Sequence, residues 1–283
     1  MTSWLHWLGL WEFDPPIWIG SVVALLAYRW LPGARRDWRA AAWIAGVLVA
    51  LISLQSALDV VGKTELFTAH MAQHLLLAMV VPPLVLRGLP DDSVDMLLES
   101  RLGPPLRLLV HPLFGASAYF MILVLWHVPA LLDNSLANSS LYLAQHLSFL
   151  GVGLLFWWAV VIHRPGERWN LSALGEVAYL TCGALPSVVV GLTLSLSPAA
   201  IYTFYLHRTT ILGISAVSDQ RWGGLLMFGF DNAVMVAFAG YYFWRLFPVD
   251  GSDERGNSLL NQEGHPVQPP PGPWTGLKRE TRR

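Results

Sequence analysis

Cysteine and lysine are both scarce in this sequence. The single cysteine, Cys182, lies inside an apolar run, so the chain contains no CxxC motif and cannot act as a dithiol metal chaperone or a disulfide reductant. We expect Cys182 to pack as a small core residue. The two lysines, Lys63 and Lys278, lie outside the apolar runs, which excludes a retinal Schiff base and therefore a rhodopsin-like receptor.

Charge of either sign is also scarce. Charged residues make up 13% of the chain and hydrophobic residues 54%, whereas soluble domains carry about 25% charged residues. Several separate apolar runs are long enough to cross a bilayer. The sequence predicts an all-α, polytopic membrane protein with seven transmembrane helices. The predicted spans are Ile17–Leu31, Ala40–Leu58, Leu66–Leu86, Leu113–Leu131, Ser139–Ile162, Leu174–Leu196 and Trp222–Phe247.

The basic residues concentrate in alternate loops. Arg35 and Arg36 lie in the first loop, Arg101 in the third and Arg164 in the fifth, whereas the fourth loop has no basic residue. The positive-inside rule therefore predicts that the odd-numbered loops and the C-terminus are cytoplasmic, and that the N-terminus and the even-numbered loops face outward. Because the basic residues follow topology and form no patch, nothing indicates nucleic-acid binding.

Two terminal segments flank the predicted seven-helix domain, which covers residues 17–247. Residues 1–16 are rich in tryptophan and have neither a basic region nor a small-residue cleavage site. We expect them to form an outer interfacial aromatic segment and not a signal peptide. Residues 248–283 are rich in proline, glycine and charge, which predicts a disordered cytoplasmic tail.

Four histidines fall at one depth in this topology. His70 and His74 are four residues apart, so their imidazoles share one face of the third helix near its outer end. His127 lies near the outer end of the fourth span, and His146 lies about two turns into the fifth. A single intramembrane histidine is often a hydrogen-bond partner between helices. Four in one shallow layer favour a metal site, because imidazole is a common transition-metal ligand.

Three further residues are weaker candidates for the metal site. Met71 supplies a thioether, which favours Cu(I), although apolar packing is the simpler interpretation. His207, in the sixth loop, could join the histidines, and Asp219 could orient one of them or attract a cation. Asp59 and Glu65 are expected to be solvated. Ligation by histidine alone would also suit zinc, so the residues do not choose the metal.

Polar and proline residues also occur within the predicted spans. Asp231 and Asn232 lie well inside the seventh span, where ion handling and bonding between helices are equally plausible roles. Pro82 and Pro83 in the third span, and Pro186 in the sixth, are expected to kink helices.

Several sequence motifs resemble those of one known family. They are HMAQH at 70–74, HP at 111–112, WHVPALLDNSL from Trp126, LYLAQHLSFLGVGLLFWW from Leu141 and SDQRWGGLLMFGF from Ser218. Together they are similar to the CtaG-type cytochrome c oxidase assembly factors, which are bacterial multi-span membrane proteins. The sequence departs from the family pattern at Gln145, where many relatives have an acidic residue, and at Phe228, where tryptophan is common.

The resemblance implies seven helices in the bacterial plasma membrane and a role in building haem–copper oxidase that is linked with copper supply. The positions that carry over are His70, His74, His127, His146, Asp219 and Gln220. The leading hypothesis is a non-catalytic assembly factor that binds copper on the outer side. Its expected partners are the lipid bilayer and either cytochrome c oxidase subunits or another copper chaperone. The alternatives are a haem-binding membrane protein with histidine axial ligands and a copper transporter.

Overall fold

The computed structural model describes residues 11–206 and 212–247, and the regular structure in these ranges is entirely helical. His207, the predicted tail and most of the predicted aromatic segment lie outside the described residues. The described residues up to Phe243 belong to one compact unit, which contains all the contacts discussed below. Residues 244–247 are the described part of a second unit.

The helices in the described part of the chain differ greatly in length. They are α1 (Pro15–Ala27), α2 (Trp38–Gln55), α3 (Ala57–Thr64), α4 (Phe67–Gly88), α5 (Asp91–Glu99), α6 (Gly103–Leu109), α7 (Pro112–Trp126), α8 (Pro129–Ala137), α9 (Ser139–Val161), α10 (Ala173–Leu196), α11 (Thr203–Leu206) and α12 (Ala216–Trp244).

Five of these helices, α2, α4, α9, α10 and α12, are long and apolar enough to cross a membrane. The pair α6 and α7, bent by 61°, adds a sixth span if the two helices form one broken span. Helix α1 has 13 residues, fewer than the roughly 20 that a spanning helix needs. The all-helical, multi-span class is confirmed, while the number of seven spans and the orientation of the termini stay predictions.

Helix α4 contains a π-helical turn at Leu76–Val80, immediately before Pro82 and Pro83. Because proline has no backbone N–H, the carbonyl of Ala78 loses its usual helical partner at position 82. The indole Nε1–H of Trp157 on α9 donates to this carbonyl at 3.0 Å. The prolines therefore widen α4 locally, and the freed carbonyl ties the helix to its neighbour.

The loops sort to two ends of the bundle. Asp91, in the third loop, pairs with Arg39 of the first loop at 2.5 Å and with Arg164 of the fifth at 2.8 Å. Between the sixth and second loops, the hydroxyl of Tyr205 donates to the carbonyl of Gly62 at 2.6 Å. Odd-numbered loops thus meet one another, and even-numbered loops do the same. This arrangement agrees with the alternation of basic residues, and which end faces the cytoplasm stays a prediction.

Cys182 is exposed on α10, so the prediction of a core position is wrong. It lies three residues before Leu185 and seven before Val189, which are 53% and 63% exposed. This helical spacing places all three on one uncovered face. The apolar run around Cys182 therefore reflects a face available to lipid and not a buried core.

Candidate metal site

His70, His74 and His146 converge between α4 and α9. The ring centroids of His70 and His74, one turn apart on α4, are separated by 4.2 Å. The His146 ring lies 5.5 Å from His70 and 5.2 Å from His74. One ring nitrogen from each residue lies within 4.8 Å of the others. We call these three residues the histidine triad.

The triad contains five buried ring nitrogens that have no hydrogen-bond partner among the described residues. They are both nitrogens of His70, both of His74 and Nε2 of His146. More than about 90% of buried polar groups in proteins are hydrogen-bonded, and an unpaired one costs about 1–3 kcal/mol. A transition metal would satisfy one lone pair on each ring, at metal–nitrogen distances of about 2.0–2.1 Å for zinc. The donor set therefore fits a metal ion.

Backbone contacts fix the orientation of His146. Its Nδ1 lies 2.8 Å from the carbonyl oxygen of Tyr142, one turn earlier on α9. A carbonyl can only accept, so Nδ1 carries the proton and, in the neutral ring, Nε2 carries the lone pair. A backbone hydrogen bond that sets the tautomer in this way is common for metal-binding histidines.

His127, the fourth predicted ligand, is adjacent to the triad but not part of it. It follows the C-terminal end of α7, and its ring centroid lies 6.2 Å from that of His74. Its Nε2 lies 3.4 Å from Sδ of Met71. The structure therefore brings together all four predicted histidines and Met71, but divides them into the triad and a His127–Met71 pair.

A buried polar layer borders the triad. The carboxylate of Asp59 on α3 accepts from the Tyr142 hydroxyl at 2.7 Å and from Nε2 of Gln73 at 2.6 Å. Asp59 is 3% exposed, so the prediction that it is a solvated residue is wrong. Burial raises the pKa of Asp59 to about 6. The sequence did not identify Gln73 and Tyr142 as partners of Asp59, although Gln73 lies inside the HMAQH motif and Tyr142 lies one turn before His146.

A cavity of about 360 Å³ reaches His146. Its lining includes the acidic residues Glu12, Asp14 and Asp59, together with Lys63. The ammonium of Lys63 lies 3.4 Å from the Glu12 carboxylate. Three carboxylates at one cavity can raise the local concentration of cations.

Asp219, on α12, lies against the N-terminus of α4 and is not part of the triad. Its carboxylate accepts from the backbone N–H groups of Phe67 at 2.6 Å and Thr68 at 3.0 Å. The Thr68 hydroxyl donates in turn to the Asp219 carbonyl at 2.9 Å. The first N–H groups of a helix have no partner within it, and a carboxylate there also interacts favourably with the helix dipole. Asp219 thus joins α12 to the start of the helix that carries His70 and His74.

Asp231 connects three helices. It is fully buried on α12 and accepts from the hydroxyls of Tyr119 on α7 and Ser187 on α10. The Tyr119 bond measures 3.2 Å. Of the two roles considered for Asp231, these contacts favour bonding between helices.

Several curated mycobacterial proteins are similar to this chain. "Uncharacterized protein Mb0105" of Mycobacterium bovis and "Uncharacterized protein MT0111" of Mycobacterium tuberculosis are each 27% identical over 249 residues, which is 77% of this chain and 36% of the relative. "Uncharacterized protein ML1998" of Mycobacterium leprae is 25% identical over 253 residues, or 78% of this chain and 37% of the relative. The chain thus spans just over a third of the length of these relatives. No solved structure matches it.

One family model matches most of the chain. The family is described as the cytochrome c oxidase caa3 assembly factor, and the match covers residues 22–248. This range contains the triad, the His127–Met71 pair and the five long apolar helices. The chain therefore belongs to the family of cytochrome c oxidase caa3 assembly factors.

Proposed function

We propose that this protein binds copper at the histidine triad and aids its delivery to a cytochrome c oxidase subunit. The observation that carries the proposal is the set of five unpartnered nitrogens on three buried histidines. Family membership supplies the link to oxidase assembly. The role is that of a carrier, in which metal–ligand bonds are exchanged without catalysis, and the receiving partner is the oxidase subunit or another copper chaperone.

The setting of the triad favours a metal over bonds between helices. Histidines that only join helices would face donors or acceptors on their neighbours. Here His74 faces His70 and His146 and stacks on Phe149 with ring centroids 4.3 Å apart, whereas His70 also has the side-chain amides of Gln73 and Gln145 beside it. Neutral nitrogens in an apolar setting suit a cation that leaves its water shell readily. Imidazole suits copper and zinc alike, so the choice of copper in this proposal rests on the role of the family in cytochrome c oxidase assembly.

The geometry does not favour the haem alternative. A bis-histidine haem requires a flat macrocycle between two imidazoles. The rings of the triad are in mutual contact, and the cavity that both His74 and His127 line has a volume of only about 10 Å³. A porphyrin does not fit between these histidines in the packing described here.

The position of the triad supports delivery on the outer side of the bacterial plasma membrane. His70 begins the second turn of α4, and His146 is the eighth residue of α9, so both lie near the ends that adjoin the even-numbered loops. The positive-inside rule assigns these loops to the outside. The acidic cavity that reaches His146 adjoins the same end and offers a path for the cation.

The test is copper binding by the full chain purified in detergent. Cu(I) would be titrated in competition with a chromophoric Cu(I) chelator, and optical spectra recorded. The His70→Ala/His74→Ala variant should lose at least about tenfold in affinity, because changes even to groups that only support metal ligands cost 10–100-fold. The matched control is His111→Ala, which changes a histidine at the opposite end of α7 from His127.

The possible outcomes separate the hypotheses. Equal copper binding by wild type and the double variant would refute the triad as the site. A Soret band in the purified protein would favour the haem alternative. Uptake of labelled copper into proteoliposomes would favour the transporter, whereas loss of oxidase assembly in cells that carry the double variant supports the proposed role.

A further inference from the structure

We propose that the protein holds a second, sulfur-containing metal position, formed by Met71 Sδ and His127 Nε2, which takes Cu(I) over from the triad with His74 as the shared ligand. This inference rests on the proposed function, because it assumes that the triad binds copper. It goes beyond that function by assigning a second site, a path within the molecule and a preference for the monovalent ion.

The hydrogen bond of His127 fixes its tautomer. Nδ1 lies 2.6 Å from the backbone carbonyl of Leu123, one turn earlier on α7. The carbonyl only accepts, so Nδ1 carries the proton, and the lone pair of a neutral ring lies on Nε2. A charged imidazolium would be costly in this apolar environment, because His127 is 8% exposed and Met71 is fully buried.

Nε2 of His127 therefore faces a second acceptor. The Met71 thioether has no proton to donate, and its sulfur lies 3.4 Å from Nε2. Two lone pairs thus point at a shared space with no hydrogen between them. A soft cation is the partner that would satisfy both, since imidazole and thioether are Cu(I) ligands.

The spacing suits two ligands of one ion. With bonds of about 2.0 Å to nitrogen and about 2.3 Å to sulfur, the lengths known for zinc, the 3.4 Å separation gives an angle of about 105° at the metal. Such an ion requires a third ligand. His74 is the candidate, because its ring centroid lies 6.2 Å from that of His127 and both side chains line one small cavity.

His74 is suited to be the shared ligand. Neither of its nitrogens has a hydrogen-bond partner among the described residues, whereas His127 and His146 are each held by a carbonyl one turn earlier. The outer torsion of a histidine side chain has a broad energy profile. The His74 ring can therefore tilt from the triad towards His127 without breaking a hydrogen bond.

The transfer is a simple ligand exchange. The copper bonds to His70 and His146 break, bonds to Met71 and His127 form, and the bond to His74 persists. No electron or proton moves, so Cu(I) stays Cu(I). The ligand set changes from three nitrogens to two nitrogens and one sulfur, which favours Cu(I) over zinc.

Two cavities give this path a beginning and an end. The acidic cavity reaches His146 of the triad, and a different cavity of about 340 Å³ reaches His127. The two share no lining residue. The second lies between α7 and α10 and is lined mainly by apolar side chains such as Val128 and Val189. The acidic lining suits entry of the cation on the His146 side, and the proposed path then ends on the His127 side.

The experiment is X-ray absorption spectroscopy of the full chain in detergent, loaded with one equivalent of Cu(I). Wild type should show a sulfur neighbour at about 2.3 Å. The sulfur contribution should rise in His70→Ala, which weakens the triad, and vanish in Met71→Leu. The matched control is Met79→Leu, another buried methionine on α4, which should leave the sulfur signal intact. Zinc binding should be the same in Met71→Leu and wild type.

A second variant, at the other proposed ligand, keeps the test informative if Met71→Leu does not fold. His127→Leu should also lower the sulfur signal, with thermal unfolding showing that the variant is folded. Copper bound by nitrogen alone in both wild type and His70→Ala would overturn this inference and leave the proposed function standing. Absence of any copper binding by folded wild type would overturn both.

Discussion

Replacing Asp219 with alanine tests whether a buried contact between helices positions the metal site. The carboxylate accepts from two backbone N–H groups at the start of α4, and Asp219 is 1% exposed. Alanine removes both acceptors, and water has little access to replace them. His70 and His74 are the fourth and eighth residues of the same helix.

The magnitude follows from these contacts. Loss of an N-cap costs about 0.5–2 kcal/mol, and an unpaired buried donor costs about 1–3 kcal/mol. Because these contributions overlap, we expect Asp219→Ala to lower the free energy of unfolding by about 2–4 kcal/mol. Part of this loss of free energy should also lower the affinity for Cu(I), because copper binding would then have to order the start of α4. A tenfold loss of Cu(I) affinity corresponds to about 1.4 kcal/mol.

The assay is chemical unfolding in detergent, combined with Cu(I) titration by chelator competition. Asp133→Ala is the matched control, because this carboxylate also accepts from backbone N–H groups, those of Thr203 and Phe204, at 3.1 and 3.3 Å. That contact is more accessible to water, so its loss should cost less than about 1 kcal/mol. If the two variants lost equal stability, or if Asp219→Ala kept full copper affinity, the positioning role of Asp219 would be refuted.

Two further predictions concern the surroundings of the triad. Burial raises the pKa of Asp59 from about 3.8 to about 6. The protonated carboxyl therefore adds up to about 3 kcal/mol to the free energy of unfolding below about pH 4, and this contribution is lost as the pH rises through 6. Asp59→Asn should therefore reduce the fall in Tm between pH 4 and 7, and an unchanged fall would contradict the assignment. Gly153→Ala should lower Tm by the equivalent of about 1–3 kcal/mol, because the new Cβ would lie 2.9 Å from the Ala78 carbonyl oxygen. Gly151→Ala on the same helix meets nothing within 4 Å and should be neutral or stabilising, by up to about 1 kcal/mol. Equal effects of the two glycine changes would disprove the close approach of α9 to α4.

The sequence alone did not predict the contacts of two polar residues, Asp59 and Asp219. Asp59 follows an apolar run and resembles a loop residue in sequence, yet α3 buries it against Gln73 and Tyr142. Asp219 was considered as a group near the metal, but its partners are backbone amides, which carry no sequence signal. In both cases the contact joins residues far apart in the chain, and only packing of the helices brings them together.

The sequence by itself determined the helical multi-span class and the identity of the histidines that meet. Apolar runs separated by charged loops require helices, because backbone polar groups in a bilayer must bond within their own segment. The four-residue spacing places His70 and His74 on one face, and the alternation of basic loops brings His127 and His146 to the same end. The tertiary structure alone decided that His146 joins the triad while His127 faces Met71. The reason is that side-chain separations of 3–6 Å depend on helix rotation and on local features such as the π-helical turn of α4, and hydrophobic pattern does not specify these.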